Sequence, residues 1–471
     1  MKVILFELNE VPQRVLDDFC DTHPQSALSE MRASAMKLET VSEDGPGPSL
    51  SPWFTWPSVH RGVPKSLHNI AHLGQPLAAV NREYPSLWTI VAEAGGRAGV
   101  CGSLHSYPVP EDRSNYDFYL PDTFAPEPTA FPPALESFQR FNLVMARESA
   151  RNLSMKLNLG TAMATLPHLP SLGFGPSTFS SVLGQLVSER LNVARKVRRR
   201  TTQSVLAFDA FMAHLKRSKP DFATFFTNHL AAAMHRFWAA SYPDDFAVHG
   251  YDRKWIETFG TEVDVAVTEA DRMVRRLLDF VKTQPDYLLV LAGSMGQAAA
   301  EADPVYTELT LADPAKLLAQ MGVSPGQWRR GAAMVPDYAF EILDGQADAF
   351  EAMLRQASLA ETRTPLKYDR KGNFFHLSIY IRNPDAKRDL VHIGNRTLSL
   401  GECGLGVIET DFQQGCTGYH IPEGLAWVYG PSLRNAGQAA SVSSCELAPA
   451  ILSSMGITPP SYMRRGLKFA A

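Results

Sequence analysis

The chain has 471 residues, 45% of them hydrophobic and 20% charged, with Lys+Arg 45 against Asp+Glu 49 and a formal net charge of -4. That balance belongs to globular rather than disordered or fibrous proteins, and the missing basic surplus argues against broad electrostatic binding of nucleic acid. Cys20, Cys101, Cys403, Cys416 and Cys445 stand far apart with no Cys-x-x-Cys pair, which argues against a disulfide framework and a Cys-rich zinc site.

A length beyond the ~150 residues of one ordinary domain predicts an elaborated fold or two domains. Val3-Ile4-Leu5-Phe6 reads as a buried parallel strand. Glu7, Asn9 and Glu10 follow at its carboxyl end, where open α/β sheets place ligands. Helical stretches at Val11–Phe19 and Ala27–Ala35 lead to a second strand, Met36–Val41, and Glu43–Pro57 is rich enough in Gly, Pro and Ser to predict a loop. Leu87–Ala94 reads as a helix and Ala98–Ser103 as a strand and loop. Prolines between about Pro108 and Pro176 predict an insertion or cap, followed by the basic helical stretch Arg195–Arg200.

Regular α/β pattern returns at the strand Asp221–Phe226, the amphipathic helix Glu262–Val281 and the strand Tyr287–Ala292. A second insertion, mostly helical and polar, is predicted near 300–375, then strands at Phe375–Ile381 and Leu425–Gly430 and a last helix at Ser443–Met455. The fold class predicted is α/β, a mainly parallel sheet with helices on both faces plus inserted cap segments. Its parts are core 1–107, cap 108–204, core 205–299, second insertion 300–374 and core 375–471. No apolar run approaches the ~18 residues of a membrane span. The opening Met1–Glu7 is too soon interrupted for a signal peptide, so the expected location is cytoplasmic.

Three segments carry groups suited to chemistry. In Ser51-Pro52-Trp53-Phe54-Thr55-Trp56-Pro57-Ser58, Thr55 or Ser58 near a helix start could attack or bind a phosphoryl group, although Ser58 alone also suits an N-cap. In Asn228-His229 to His235-Arg236, two imidazoles near a strand end can ligate a metal and Arg236 can neutralise an anion. The third is Gly418-Tyr419-His420-Ile421-Pro422-Glu423-Gly424, where His420 sits between glycines in a loop that can approach a ligand closely. Trp53, Phe54, Trp56 and Trp238 are equally suited to stacking on a ligand and to packing, and His105 follows a predicted strand.

Together these segments resemble the alkaline phosphatase superfamily, in particular its type I phosphodiesterase/nucleotide pyrophosphatase branch. Thr55–His60 is similar to that branch's nucleophile segment, Gly418–Gly424 to its Gly-x-His-x-x-x-Gly, and Glu446–Leu452 with Met455-Gly456-Ile457 to its closing helix. The resemblance implies two zinc ions clamping the oxygens of an in-line displacement, with Thr55 as nucleophile, Glu7 in place of the first-strand acid, and His235 and His420 on one metal. Ala231, Ser294 and Met295 stand where the branch has ligands, and none suits zinc. One divalent site, zinc, is therefore expected rather than two. Asn228, His229, Ser294 and Gln297 are polar groups near the vacated positions, with His229 as general base or substitute ligand. Ser58, Asn228, Arg236, Ser294 and Gln297 are expected to bind substrate. The expected function is hydrolysis or transfer of a small phosphate-type ester. The alternative is an inactive binding or regulatory protein on the same fold. A sulfatase is disfavoured, because the chain has no Cys/Ser-x-Pro-x-Arg segment.

Overall fold

The first strand, β1 (Lys2–Leu8), is buried at every residue from Val3 to Leu8, as a strand covered on both faces must be. In the computed structural model, which describes residues 1–147, 172–246, 251–303, 305–331, 333, 337–359, 365–410, 415–431, 433, 441–464 and 466–469, β1 lies inside an eight-stranded sheet. The other strands include β2 (Met36–Val41), β3 (Ala98–Cys101), β4 (Tyr116–Leu120), β5 (Phe222–Thr227) and β6 (Tyr287–Ala292). Across the sheet the order is Val442–Ser443, β2, Glu423–Tyr429, β6, β1, β5, β3, β4. Only Glu423–Tyr429 runs antiparallel to its neighbours, β2 and β6; β1 pairs in parallel with both β5 and β6.

Alternate residues of β1 feed two different cores. Ile4, Phe6 and Leu8 pack with helices Gln13–Thr22, Arg199–Ser218 and Glu262–Thr283. Val3 and Leu5 pack on the other face with Pro52–Arg61, Leu87–Glu93 and Leu447–Ser454. The molecule is thus an α/β protein with a mainly parallel sheet between two helical layers. Strands β5 and β6 flank β1, so the chain crosses over on both sides of it, and the crevice at its carboxyl end is the place where such sheets bind ligands.

Gly418–Gly424, predicted as loop, is strand at Gly418–Ile421 and from Glu423, because it pairs with Gly296–Ala299 and with β2 and β6, and the second insertion, predicted mostly helical, carries more strand than helix among the described residues. Two more segments differ from expectation. Of Glu43–Pro57, predicted as loop, the part from Pro52 is the start of a helix, Pro52–Arg61, so Thr55 lies inside its first turns. Ser51 caps it by accepting from Trp53 N at 3.3 Å, and Pro52 occupies the first turn, where a missing N–H is tolerated. Pro57 cannot donate to the Trp53 carbonyl, and His105 Nε2 fills that vacancy at 2.7 Å. The second is Phe374–Ser378, which pairs with Asp337–Ile342 and Lys367–Lys371 rather than with the main sheet. It belongs to a separate small-sheet body whose own core runs from Leu309 to Leu405. Of the expected insertions, residues 148–171 in the first and 304, 332, 334–336 and 360–364 in the second lie outside the described residues.

Candidate metal centre

Glu10, His235 and His420 converge from three separate stretches of chain. Glu10 follows β1 with a left-handed backbone (φ 57). His235 comes from the helix His229–Ser241 that leaves β5. His420 lies on the strand Gly418–Ile421, which pairs antiparallel with β7 (Gly296–Ala299) and sets His420 opposite Gln297. Gly418 allows this approach, since a Cβ there would stand 2.5 Å from the Met234 carbonyl oxygen. All three side chains are buried, and their ligand atoms lie within 4.8 Å of one another.

The tautomers follow from the partners. His235 Nδ1 is 2.7 Å from the Gly418 carbonyl and His420 Nδ1 is 2.6 Å from that of Leu50. A carbonyl only accepts, so both Nδ1 atoms carry hydrogen and both Nε2 atoms present lone pairs when neutral. Those Nε2 atoms face one carboxylate oxygen, Glu10 Oε2, at 2.8 and 3.3 Å. Lone pairs aimed at an anion repel it, so the cluster requires positive charge, supplied by protons or by a metal cation. Burial alone pushes the Glu10 carboxyl up, but the charges of His420 and His235 outweigh it and hold the group well below the usual carboxylate range.

The surroundings fit a cation. Asn9 Nδ2 donates to Glu10 Oε1 at 2.8 Å and Gln297 Nε2 to Oε2, which fixes the carboxylate. Among the described residues, His420 Nε2 and Gln297 Oε1 are buried without a hydrogen-bond partner. Two imidazoles oriented through Nδ1–H to carbonyls, plus one carboxylate, form a donor set for zinc with positions left open. The same three ligand types also suit ferrous iron.

The cluster borders a cavity of about 330 Å³. Its polar lining includes Asn9, Asn228, Arg200 and Arg236; Trp53, Leu104, Leu120, Phe124 and Phe226 line it with apolar surface. Asn9 ties the parts together, donating to Asn228 Oδ1 at 2.6 Å while accepting from Trp56 Nε1 at 2.7 Å.

The structure gathers His235, His420 and Gln297 around Glu10 and places Asn228, His229 and Arg236 on the cavity wall. His229 is engaged at both nitrogens: Nε2–H donates to the Ala266 carbonyl at 3.0 Å and Nδ1 accepts from Thr227 Oγ1 at 2.7 Å. Burial lowers its pKa to about 4, so the ring stays neutral at physiological pH.

Glu7, Thr55, Ser58 and Ser294 are not among the cavity-lining residues. Glu7, which the resemblance places in the position of the first-strand acid, is fully buried: Oε1 accepts from Ser103 Oγ at 2.7 Å and from Thr224 Oγ1. His60 Nε2 stands 3.1 Å from Glu7 Oε2 but off the line a hydrogen bond needs. Thr55 and Ser294 have no exposed surface, and their hydroxyls meet at 2.8 Å. Ser58 donates to Asp44 Oδ2 at 2.6 Å. His68 Nδ1 accepts from the Ile70 amide, so its Nε2 carries the hydrogen and donates to Ser58 Oγ at 2.9 Å. That direction is opposite to the one a base activating Ser58 would need. Glu10 is the third candidate ligand of the cluster; the sequence placed it two residues beyond the carboxyl end of the central strand without assigning it a metal role.

No protein-family model matches the chain, and no curated protein matches it. Solved structures do. The chain is similar to a phosphonoacetate hydrolase from Sinorhizobium meliloti in complex with phosphonoformate, at 14% identity and TM-score 0.42 over 97% of this chain and 96% of that one. It is also similar to murine ectonucleotide pyrophosphatase/phosphodiesterase 5, at 9% identity and TM-score 0.40 over 98% and 96% of the two chains. The human form of that protein matches at 9% identity and TM-score 0.41 over 100% and 98%.

Proposed function

We propose that the chain is a hydrolase of a small phosphate-type ester that works with one divalent cation, zinc, held by Glu10, His235 and His420. The observation carrying this reading is the pair of buried imidazoles, each pinned by a main-chain carbonyl and each turning Nε2 to the same carboxylate oxygen. A cation bound there supplies Lewis acidity toward a phosphoryl oxygen. Glu10 offsets its charge, and Asn9 and Gln297 keep the carboxylate from rotating. Arg200 and Arg236 on the cavity wall give an anionic substrate a counter-charge, and the resemblance of the sequence segments supports phosphate chemistry in particular.

Thr55 enters this reading as a structural hydroxyl, because it is closed off against Ser294 and away from the cavity lining. Thr55→Val should keep bound zinc and leave turnover of p-nitrophenyl phosphate esters within severalfold of the parent. Abolished turnover with zinc content and melting temperature intact would restore Thr55 as the nucleophile that the resemblance implies.

The experiment for the whole reading is a chelation cycle. The purified protein should hold one zinc per chain, lose turnover of those esters when EDTA strips the metal, and regain it when zinc is returned. A second reading, a binding protein without turnover, is favoured by Ala231, Ser294 and Met295, buried side chains that offer no carboxylate, imidazole or thiolate for a second metal. Stoichiometric zinc with no turnover of any ester tried would select it.

A further inference from the structure

The helix Pro176–Leu191 is inside out. An ordinary surface helix turns apolar residues inward and polar ones to water. Here the inward residues are polar. Thr178 Oγ1 donates to Asp209 at 2.6 Å, Gln185 Nε2 to the Arg195 carbonyl at 2.8 Å, and Glu189 pairs with Arg199 at 2.6 Å. Phe179, Leu183, Leu186, Val187 and Leu191 face away from the protein, and Val193 continues the band just beyond the helix; they are between 44% and 84% exposed. At 100° per residue the five helical positions fall within an arc of about 140°. Apart from Ser180 and Arg190 every helical position within that arc is apolar; the exposure is concentrated rather than scattered, and an apolar band of this kind marks a docking surface.

We infer that this band docks the protein on an anionic membrane surface, with the helix lying in the plane of the headgroups. Charge decides the occupant. Arg190 falls within that arc, in the last turn of the helix, and Lys196 follows three residues after Val193; both are exposed, and neither forms an ion pair among the described residues. Glu189 is the only acid of the helix and is taken by Arg199, while Arg195 and Arg198 are taken by Glu262. Pairing of two copies through this band would bring no carboxylate from either helix to Arg190 and Lys196. Anionic headgroups meet both cations while the Phe, Leu and Val side chains sink below them. No helix among the described residues is long and apolar enough to cross a membrane, so the contact is with a surface.

Sedimentation of the full chain with phosphatidylcholine vesicles, with and without phosphatidylglycerol, tests this independently of the metal centre. The chain should pellet with the phosphatidylglycerol vesicles. Leu183→Glu/Leu186→Glu/Leu191→Glu should weaken that binding by at least about tenfold, with the melting temperature unchanged because all three side chains are exposed. Arg190→Gln/Lys196→Gln or added salt should weaken it severalfold. Three results would overturn the inference: no pelleting with either vesicle, binding that the triple variant leaves intact, or a solution dimer that the triple variant splits, which would assign the band to a second copy.

Discussion

Glu10→Gln should bind zinc at least about a hundredfold more weakly than the parent and show no ester turnover above background. Losing a partner that only orients a metal ligand already costs ~10–100-fold in affinity, and Glu10 is placed as a ligand itself. The variant should remain folded. Its amide can donate toward the histidine Nε2 lone pairs, which removes the repulsion that a carboxylate imposes on two neutral imidazoles at 2.8 and 3.3 Å. Isothermal titration with zinc and a thermal melt of the metal-free protein check both halves. Parent-like zinc affinity in Glu10→Gln would remove the carboxylate from the centre.

Glu7→Ala should do the reverse. This carboxylate is fully buried and holds Ser103 and Thr224 through Oε1, with His60 close by Oε2. Removing it takes away the acceptor of two buried hydroxyls that can then bond only to each other, 3.1 Å apart, a change that typically costs about 1–3 kcal/mol. Urea unfolding should show that loss, while one equivalent of zinc still binds at conditions where the variant is folded. If Glu7→Ala instead keeps its stability and loses zinc, the acid at position 7 is the ligand, as the resemblance implies.

The contrast between these two acids shows what was legible in the sequence. Strand identity was readable because β1, β5 and β6 are continuous apolar runs, which only a sheet covered on both faces requires. His235 and His420 were singled out because they sit in segments with a recognisable order, and the structure brings both against Glu10. Glu10 was harder. Whether Glu7 or Glu10 meets the histidines depends on a left-handed turn after Leu8, and neither composition nor periodicity reports a φ of 57 at a non-glycine residue. The helix that carries Thr55 was missed for a related reason. Gly, Pro and Ser in Glu43–Pro57 read as loop, yet Pro52 starts a helix, and the helix tolerates Pro57 because His105 takes the orphaned Trp53 carbonyl. That compensation comes from 52 residues away, beyond the reach of local pattern.

Crystals grown with zinc and measured for anomalous scattering at the zinc edge test the central claim most directly. The account predicts one peak bounded by Glu10 Oε2, His235 Nε2 and His420 Nε2. A peak beside Glu7 and Thr55, or an empty cluster at saturating zinc, would contradict it.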